Sequence, residues 1–135
     1  MTSDRRVFTL EELAGLQPGL GRLMPEIGAR AWKLYYAAKA ENWPLATFQL
    51  NEMRGLFLTA AFTRPKYEKD LKEYVDGVFA VVKTAILHKD FQEFETAFNE
   101  AVKVGNDFHD TYDKPYIQWK VPAMPPPDLD LTPRS

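Results

Sequence analysis

The chain has 135 residues, of which 45% are hydrophobic, 13% aromatic and 27% charged, a composition typical of one globular domain and not of a disordered segment. Its formal net charge of -2 excludes the strongly basic class of polyanion-binding proteins, so we expect no nucleic-acid partner. The lack of cysteine excludes disulfides, thiolate metal sites, cysteine nucleophiles and covalent attachment of c-type haem.

The hydropathy pattern indicates neither a membrane-spanning helix nor a secretory signal. The N-terminal residues contain no apolar segment of the kind that a secretory signal requires. No run approaches the roughly 18 apolar residues of a membrane-spanning helix. We therefore expect no membrane partner and a cytoplasmic location.

A short helical turn and four longer helices are predicted along the chain. The sequence Thr9-Leu10-Glu11-Glu12 is a capping-box pattern and predicts a single helical turn within an N-terminal arm, residues 1–17. Apolar residues then recur at spacings of three and four, the mark of amphipathic helices. The predicted helices run from Leu20 to about Asn42, from Pro44 to about Phe62, from about Tyr67 to His88, and from Asp90 to about Tyr112.

Short connections favour antiparallel neighbours, so the predicted fold is all-α, an antiparallel up-down-up-down four-helix bundle over residues 18–114. Pro25 fits the first bundle helix if it lies in the first turn and would kink the helix if it lies deeper. Residues 115–135 form a Pro-rich tail with an extended course. Its apolar Tyr116, Ile117 and Trp119 predict that the tail packs in part on the bundle.

The strongest candidate site residue is His109, on or beside the apolar face of the fourth bundle helix. Gly105 lies one turn earlier, where glycine costs about 1 kcal/mol relative to alanine. The pair could make room for a flat ligand or a metal. Alternatively, a neighbouring side chain fills the gap and His109 bonds a backbone carbonyl or a carboxylate, which is the commoner situation.

Gln49 and Glu52 are the second candidates, since they fall between or within the apolar faces of the second bundle helix. A carboxylate there could serve as a metal ligand or an acid–base group. However, the chain lacks the Glu-x-x-His motif of carboxylate metal bundles. A structural hydrogen bond to a tyrosine or a tail amide is the alternative for Glu52.

The order of these features resembles a bacterial family related to cytochrome c′, the four-helix-bundle c-type cytochromes and their small relatives. The resemblance is carried by Pro18-Gly19-Leu20-Gly21, Asn42-Trp43-Pro44-Leu45-Ala46, Phe48-Gln49-Leu50-Asn51-Glu52, Ala85-Ile86, Asp90, Phe94, Gly105-Asn106-Asp107-Phe108-His109 and Tyr116-Ile117. These short segments are distributed along nearly the whole chain from Pro18 to Pro127.

In haem-binding members of that family the segment near the end of the last helix reads C-x-x-C-H, with two thioether cysteines and an axial histidine. Here Gly105 and Phe108 stand at the cysteine positions, and His109 matches the histidine. The resemblance therefore implies a member that carries no covalent haem. Its relatives commonly dimerise, and the unusually apolar second bundle helix agrees with a homodimer.

From these residues we expect a haem-free bundle that acts as a small-ligand-binding or protein-interaction module. Its ligand would be small and apolar and would lie near His109, Gly105, Phe108, Glu52 and Gln49. One alternative is a redox or sensor protein that holds non-covalent haem or a metal through His109. Another is a small enzyme with a Glu52/His109 acid–base pocket, for which no catalytic motif is present.

Overall fold

A computed structural model describes residues 6–134, and all regular secondary structure in that range is helical. Residues 1–5 of the predicted arm and residue 135 of the predicted tail lie outside the described residues. The helices are α1 (Leu10–Gly15), α2 (Leu20–Lys39), α3 (Trp43–Thr63), α4 (Glu68–Asp76), α5 (Val78–His88) and α6 (Phe91–Thr111), with a 3-10 turn at Pro65–Tyr67 before α4. Within the same range, no helix is long and apolar enough to cross a membrane.

The helix starts follow local capping signals in the sequence. At α1 the Thr9 side chain accepts a hydrogen bond from the Glu12 amide while the Glu12 side chain accepts one from the Thr9 amide, so the predicted capping box is present. The Asn42 side chain caps α3 through the Leu45 amide, and Asp90 caps α6 through the Glu93 amide. Each cap satisfies an amide that the first helical turn leaves without a partner.

The predicted third bundle helix is wrong as one continuous element, because the chain breaks at Gly77 into α4 and α5. Gly77 has φ -100° and ψ -105°, and a Cβ atom there would lie 2.9 Å from the Glu73 carbonyl oxygen. Only glycine allows that close approach. By contrast, α2 continues through Pro25, which is its sixth residue and therefore lies beyond the first turn.

The core is densely packed where α2 and α6 meet beside the start of α3. Phe91, Phe94 and Phe98 are stacked along α6, with ring centroids 6.0 and 5.5 Å apart. Tyr35 from α2 packs against this row at 5.3 Å from Phe98, and Trp43 meets Phe94 edge-on at 6.5 Å. Aromatic pairs at these separations add to the stabilisation from burial alone.

The second bundle helix is less buried than its apolar sequence predicts. Although α3 contributes Leu50, Met53 and Phe57 to the core, Phe48 is 50% exposed and Phe62 is 84% exposed. α3 therefore presents apolar surface as well as a buried face.

After Thr111 the chain forms neither helix nor strand as far as residue 134. Its path is held by hydrogen bonds to α2, α6 and the α2–α3 connection. Of the apolar residues expected to pack on the bundle, Trp119 meets Phe98 edge-on at 6.3 Å, whereas Tyr116 is 78% exposed.

Alkaline pH should destabilise the fold through Tyr35. The Tyr35 hydroxyl donates a 2.6 Å hydrogen bond to the Glu95 carboxylate, and this bond together with burial raises the pKa of Tyr35 to about 12. An unfolded tyrosine titrates near 10. The stabilisation is therefore fully present below about pH 10 and is lost as the pH rises towards about 12. Urea unfolding between about pH 9 and 11.5 should show a steeper loss of stability in the wild type than in Tyr35→Phe, and equal slopes would contradict this assignment.

Candidate functional site

A cavity of about 270 Å³ extends from the surface into the bundle, beyond the row of stacked phenylalanines. All five helices from α2 to α6 line it, together with the first part of the tail. Most of the lining is apolar, including Ile27, Leu50, Met53, Phe57, Phe79 and Val82. Apolar pockets with a few polar groups are the usual form of small-molecule sites.

The cavity exists because small residues face each other on α2 and α6. From α2 these are Gly21, Gly28 and Ala31, and from α6 they are Ala101 and Gly105. Large residues line α6 on either side of this stretch, with Phe98 before it and Phe108 after it. Space between helices that no side chain fills is left as a void, since protein interiors are otherwise close-packed.

His109 lines the cavity and turns one ring nitrogen towards the tail. Its Nδ1 atom lies 2.8 Å from the Ile117 carbonyl oxygen. Because a carbonyl only accepts, Nδ1 carries a hydrogen, and in the neutral ring the Nε2 atom holds the lone pair. The expected alternative of a bond to a backbone carbonyl is thus the arrangement present.

A second polar group lies where α4 meets the end of α6. The Tyr112 hydroxyl donates a short hydrogen bond to the Asp70 carboxylate, and both residues line the cavity. This bond raises the pKa of Tyr112, so its hydroxyl stays protonated at neutral pH. The Tyr67 ring lies edge-on to Tyr112 at 4.8 Å. Together with His109, these groups give the cavity polar partners for a ligand.

The Tyr74 side chain, on α4, also lines the cavity. Its hydroxyl donates to the Ala101 carbonyl oxygen at 2.8 Å, and burial raises its pKa. A Cβ atom on Gly105 would lie 3.7 Å from the Tyr74 hydroxyl, which is ordinary van der Waals contact. Alanine therefore fits at position 105, and Tyr74 is the neighbouring side chain that limits the space there.

The tail closes one side of the cavity through Ile117 and Trp119. The Asn106 amide holds this wall in place, because its Nδ2 donates to the Trp119 carbonyl and its Oδ1 accepts from the Trp119 amide, both at 2.9 Å. The Trp119 indole lies so close to α2 that a Cβ atom on Gly28 would be 2.8 Å from its Nε1. A side chain at position 28 would therefore force the Trp119 indole to move.

The five predicted site residues separate into two groups. Gly105, Phe108 and His109 line the cavity together, and Gln49 and Glu52 do not. Gln49 is 2% exposed and accepts a 3.1 Å hydrogen bond from Arg30.

Glu52 is exposed, so no acid–base pocket shared with His109 is formed. The reason is helical geometry. Glu52 precedes the buried Met53 by one residue, a rotation of about 100° away from the core face.

The covalent haem found in haem-binding members of the resembled family has no attachment point in this chain. No cysteine is present to hold it, and Gly105 and Phe108 stand at the attachment positions. A 150 Å³ cavity accommodates benzene, so about 270 Å³ corresponds to roughly eleven non-hydrogen atoms. A haem group has roughly four times as many. Residues 6–134 also contain no cluster of three or more His, Cys, Asp or Glu that could hold a metal ion.

Sequence reasoning missed Gly28, Asn106 and Trp119 as parts of the site. Asn106 lay within the segment used for the family resemblance, and Trp119 was recognised only as an apolar tail residue. The sequence signal available for Asn106 was its position, because it places a polar side-chain amide directly after Gly105 on the helix that lines the cavity. Gly28 offered a signal of the same kind as Gly105, a glycine in the interior of an amphipathic helix.

Substitution of Gly28 should disturb the tail wall. Gly55→Ala serves as the matched control, because a Cβ atom there meets open space within α3, and it should stabilise the protein by up to about 1 kcal/mol. Gly28→Ala should instead be about 1–2 kcal/mol less stable than the control, since Trp119 must move. Urea unfolding measures the difference, and ¹⁹F NMR of 5-fluorotryptophan protein reports the displacement of Trp119. Equal stabilisation by both substitutions with an unchanged Trp119 signal would contradict the close packing.

Comparisons with known proteins provide no relative for this chain: no family model, no curated protein and no solved structure matches it. Membership of the cytochrome c′-like family therefore stays a prediction from the ordered segments of the sequence.

Proposed function

We propose that this protein binds a small apolar or amphipathic molecule of roughly eleven non-hydrogen atoms in the cavity between α2, α3 and α6. The observation that carries the proposal is the cavity itself, about 270 Å³ in the core of a chain of only 135 residues. The ligand's apolar part would contact Leu50, Met53 and Phe57. Its polar end would meet the cluster of His109, Tyr112 and Asp70.

The energetic cost of an empty cavity supports this proposal. An enclosed void costs about 24 cal/mol per Å³ relative to a filled core, so a ligand that fills the buried part of this cavity would stabilise the protein. Native domains have total stabilities of only about 5–15 kcal/mol. A ligand that fills the space recovers dispersion contacts that the lining side chains otherwise lack.

The polar groups favour an amphipathic ligand over a hydrocarbon. His109 is held by the Ile117 carbonyl so that Nε2 can accept a hydrogen bond while the ring is neutral. The Asp70 carboxylate already accepts from Tyr112. A hydroxyl group on the ligand could therefore donate to His109 without leaving a buried polar atom unpaired.

The proposal includes the finer arrangement of the helices as an up-down-up-down bundle. It is supported by extensive packing of α2 against α3 and of α5 against α6, with further contacts between α2 and α6. Membership of the cytochrome c′-like family, a homodimer and a cytoplasmic location stay predictions from the sequence.

A direct test uses 1-octanol as the probe and a cavity-filling variant as its counterpart. Octanol has nine non-hydrogen atoms, and a net binding free energy of about 0.6 kcal/mol for each, within the range that small ligands reach, predicts a dissociation constant on the order of 0.1 mM. At about 1 mM octanol the wild type should gain roughly 1.4 kcal/mol of stability. Ala101→Leu places a larger side chain in the cavity, so it should be more stable without probe and gain nothing from it.

The control is Ala14→Leu, the same substitution on the exposed α1. It should retain the octanol effect in full. Calorimetric titration and thermal unfolding measure binding and stabilisation. An octanol response that is absent from the wild type, or that is equal in Ala101→Leu and Ala14→Leu, would contradict ligand binding in this cavity.

A further inference from the structure

One face of α2 is covered by the proline-rich part of the tail. Trp32 and Tyr36 lie one turn apart, and the tail crosses both. The Trp32 indole Nε1 donates to the Met124 carbonyl oxygen at 2.7 Å, and the Tyr36 hydroxyl donates to the Pro122 carbonyl oxygen at 2.8 Å. We call this surface, formed by Trp32, Lys33, Tyr36 and Asn42, the α2 docking face.

The docking face also contacts the tail after its three consecutive prolines. Lys33 forms an ion pair with Asp128, with Nζ and Oδ2 3.1 Å apart. Asn42, which caps α3 with its Oδ1, uses its Nδ2 to donate to the carbonyl oxygens of Leu131 and Thr132 at 3.3 and 3.4 Å. Pro126 is buried, although the residues on either side of it are exposed.

These contacts are of the kind that recognise proline-rich segments through their main-chain carbonyl oxygens. Proline lacks an N–H, and an extended proline-rich chain leaves its carbonyl oxygens without internal partners. The docking face supplies donors to four such carbonyls and a cation to one carboxylate. A proline-rich chain is stiff before it binds, so it loses little conformational entropy when it binds to such aromatic donors.

We propose that the α2 docking face is a binding site for proline-rich acidic peptide segments. The tail of the same chain, residues 122–132, is its resident occupant. The partner it fits is a segment with free carbonyls at two positions separated by one residue, a run of prolines, and an acidic side chain directly after that run. Such a segment in another chain competes with the tail for the same donors.

The pattern of contacts indicates which features of a peptide this site would recognise. Four of its hydrogen bonds go to main-chain carbonyls, so the backbone shape set by proline is recognised more than the identity of side chains. The Lys33–Asp128 ion pair is the contact that depends on a particular charge. Because the Lys33 hydrogen bond lowers the pKa of Asp128, the carboxylate is charged throughout the neutral range. The pair thus offers a test by charge reversal.

The first experiment keeps the complete chain and measures order in the tail by ¹⁵N relaxation of residues 123–132. Lys33→Asp should increase fast motion in this segment, because it places two like charges together. The double variant Lys33→Asp with Asp128→Lys should return the segment to the wild-type values. Tail order that survives Lys33→Asp, or that the double variant fails to restore, would overturn the proposal.

The second experiment tests binding between separate chains. The tail-disabled protein is the full-length chain with Pro125→Gly, Pro126→Gly, Pro127→Gly and Asp128→Ala. These changes remove the stiffness of the proline run and the carboxylate that pairs with Lys33, while the cavity wall at Ile117 and Trp119 keeps its sequence. A synthetic peptide of residues 121–134 should bind this protein at a ratio of one to one by calorimetry. Trp32→Phe, which keeps an aromatic ring and removes the donor, should weaken the binding about fivefold.

Charge reversal supplies the matched control in the same assay. Lys33→Asp in the tail-disabled protein should weaken the wild-type peptide about five- to tenfold, and a peptide carrying Asp128→Lys should recover the loss. The ¹H–¹⁵N spectrum shows whether each variant keeps the helical fold. No peptide binding to a folded tail-disabled protein, or binding that is indifferent to Trp32→Phe and Lys33→Asp, would refute the docking site independently of any ligand in the cavity.

Discussion

The structure depends on a packing constraint between two helices: α2 and α6 face each other with small residues at one end of the bundle. Gly28 and Ala31 on α2 and Ala101 and Gly105 on α6 line the cavity, and their small size leaves room for it between the helices. The resulting cavity needs a wall where the helices do not meet, and the tail provides it through Trp119. Because Gly28 has no side chain, the Trp119 indole can pack against α2 and close this side of the cavity.

The other part of the core offsets this loss of contacts. Phe94 is 0% exposed and is stacked between Phe91 and Phe98, while Tyr35 and Trp43 close the group from α2 and α3. Full burial of one such ring stabilises the fold by about 1.5–3 kcal/mol. A densely packed aromatic cluster can therefore support an adjacent region that is incompletely filled. Proteins that bind ligands commonly separate rigid packing from the site in this way.

The parts of the fold that depend on local sequence could be predicted, and those that depend on distant partners could not. The capping box at Thr9 is predicted from residues three positions apart, and the structure contains it. The Asn42 cap on α3 was not predicted. The break at Gly77 escaped prediction because the apolar stripe continues through it, although a glycine inside a helical pattern is itself a warning. The exposed position of Glu52 was missed because α3 is apolar on more than one side.

The candidate site shows the same division. His109 and Gly105 were recognisable from their position on an amphipathic helix, and both line the cavity. The role of Trp119 depends on the course of a tail without regular structure, which no periodicity encodes. Likewise, the absence of a side chain at Gly28 matters only because Trp119 lies against it.

Xenon binding to crystals of the wild-type protein is the most direct test of the central claim, that the core contains an accessible apolar cavity. Xenon enters apolar cavities and is visible by its strong scattering. Xenon density should appear between Met53, Phe57 and Ala101, inside the wall formed by Trp119. A core without xenon density there, with the Phe57 and Tyr74 rings moved together to fill the space, would contradict the account.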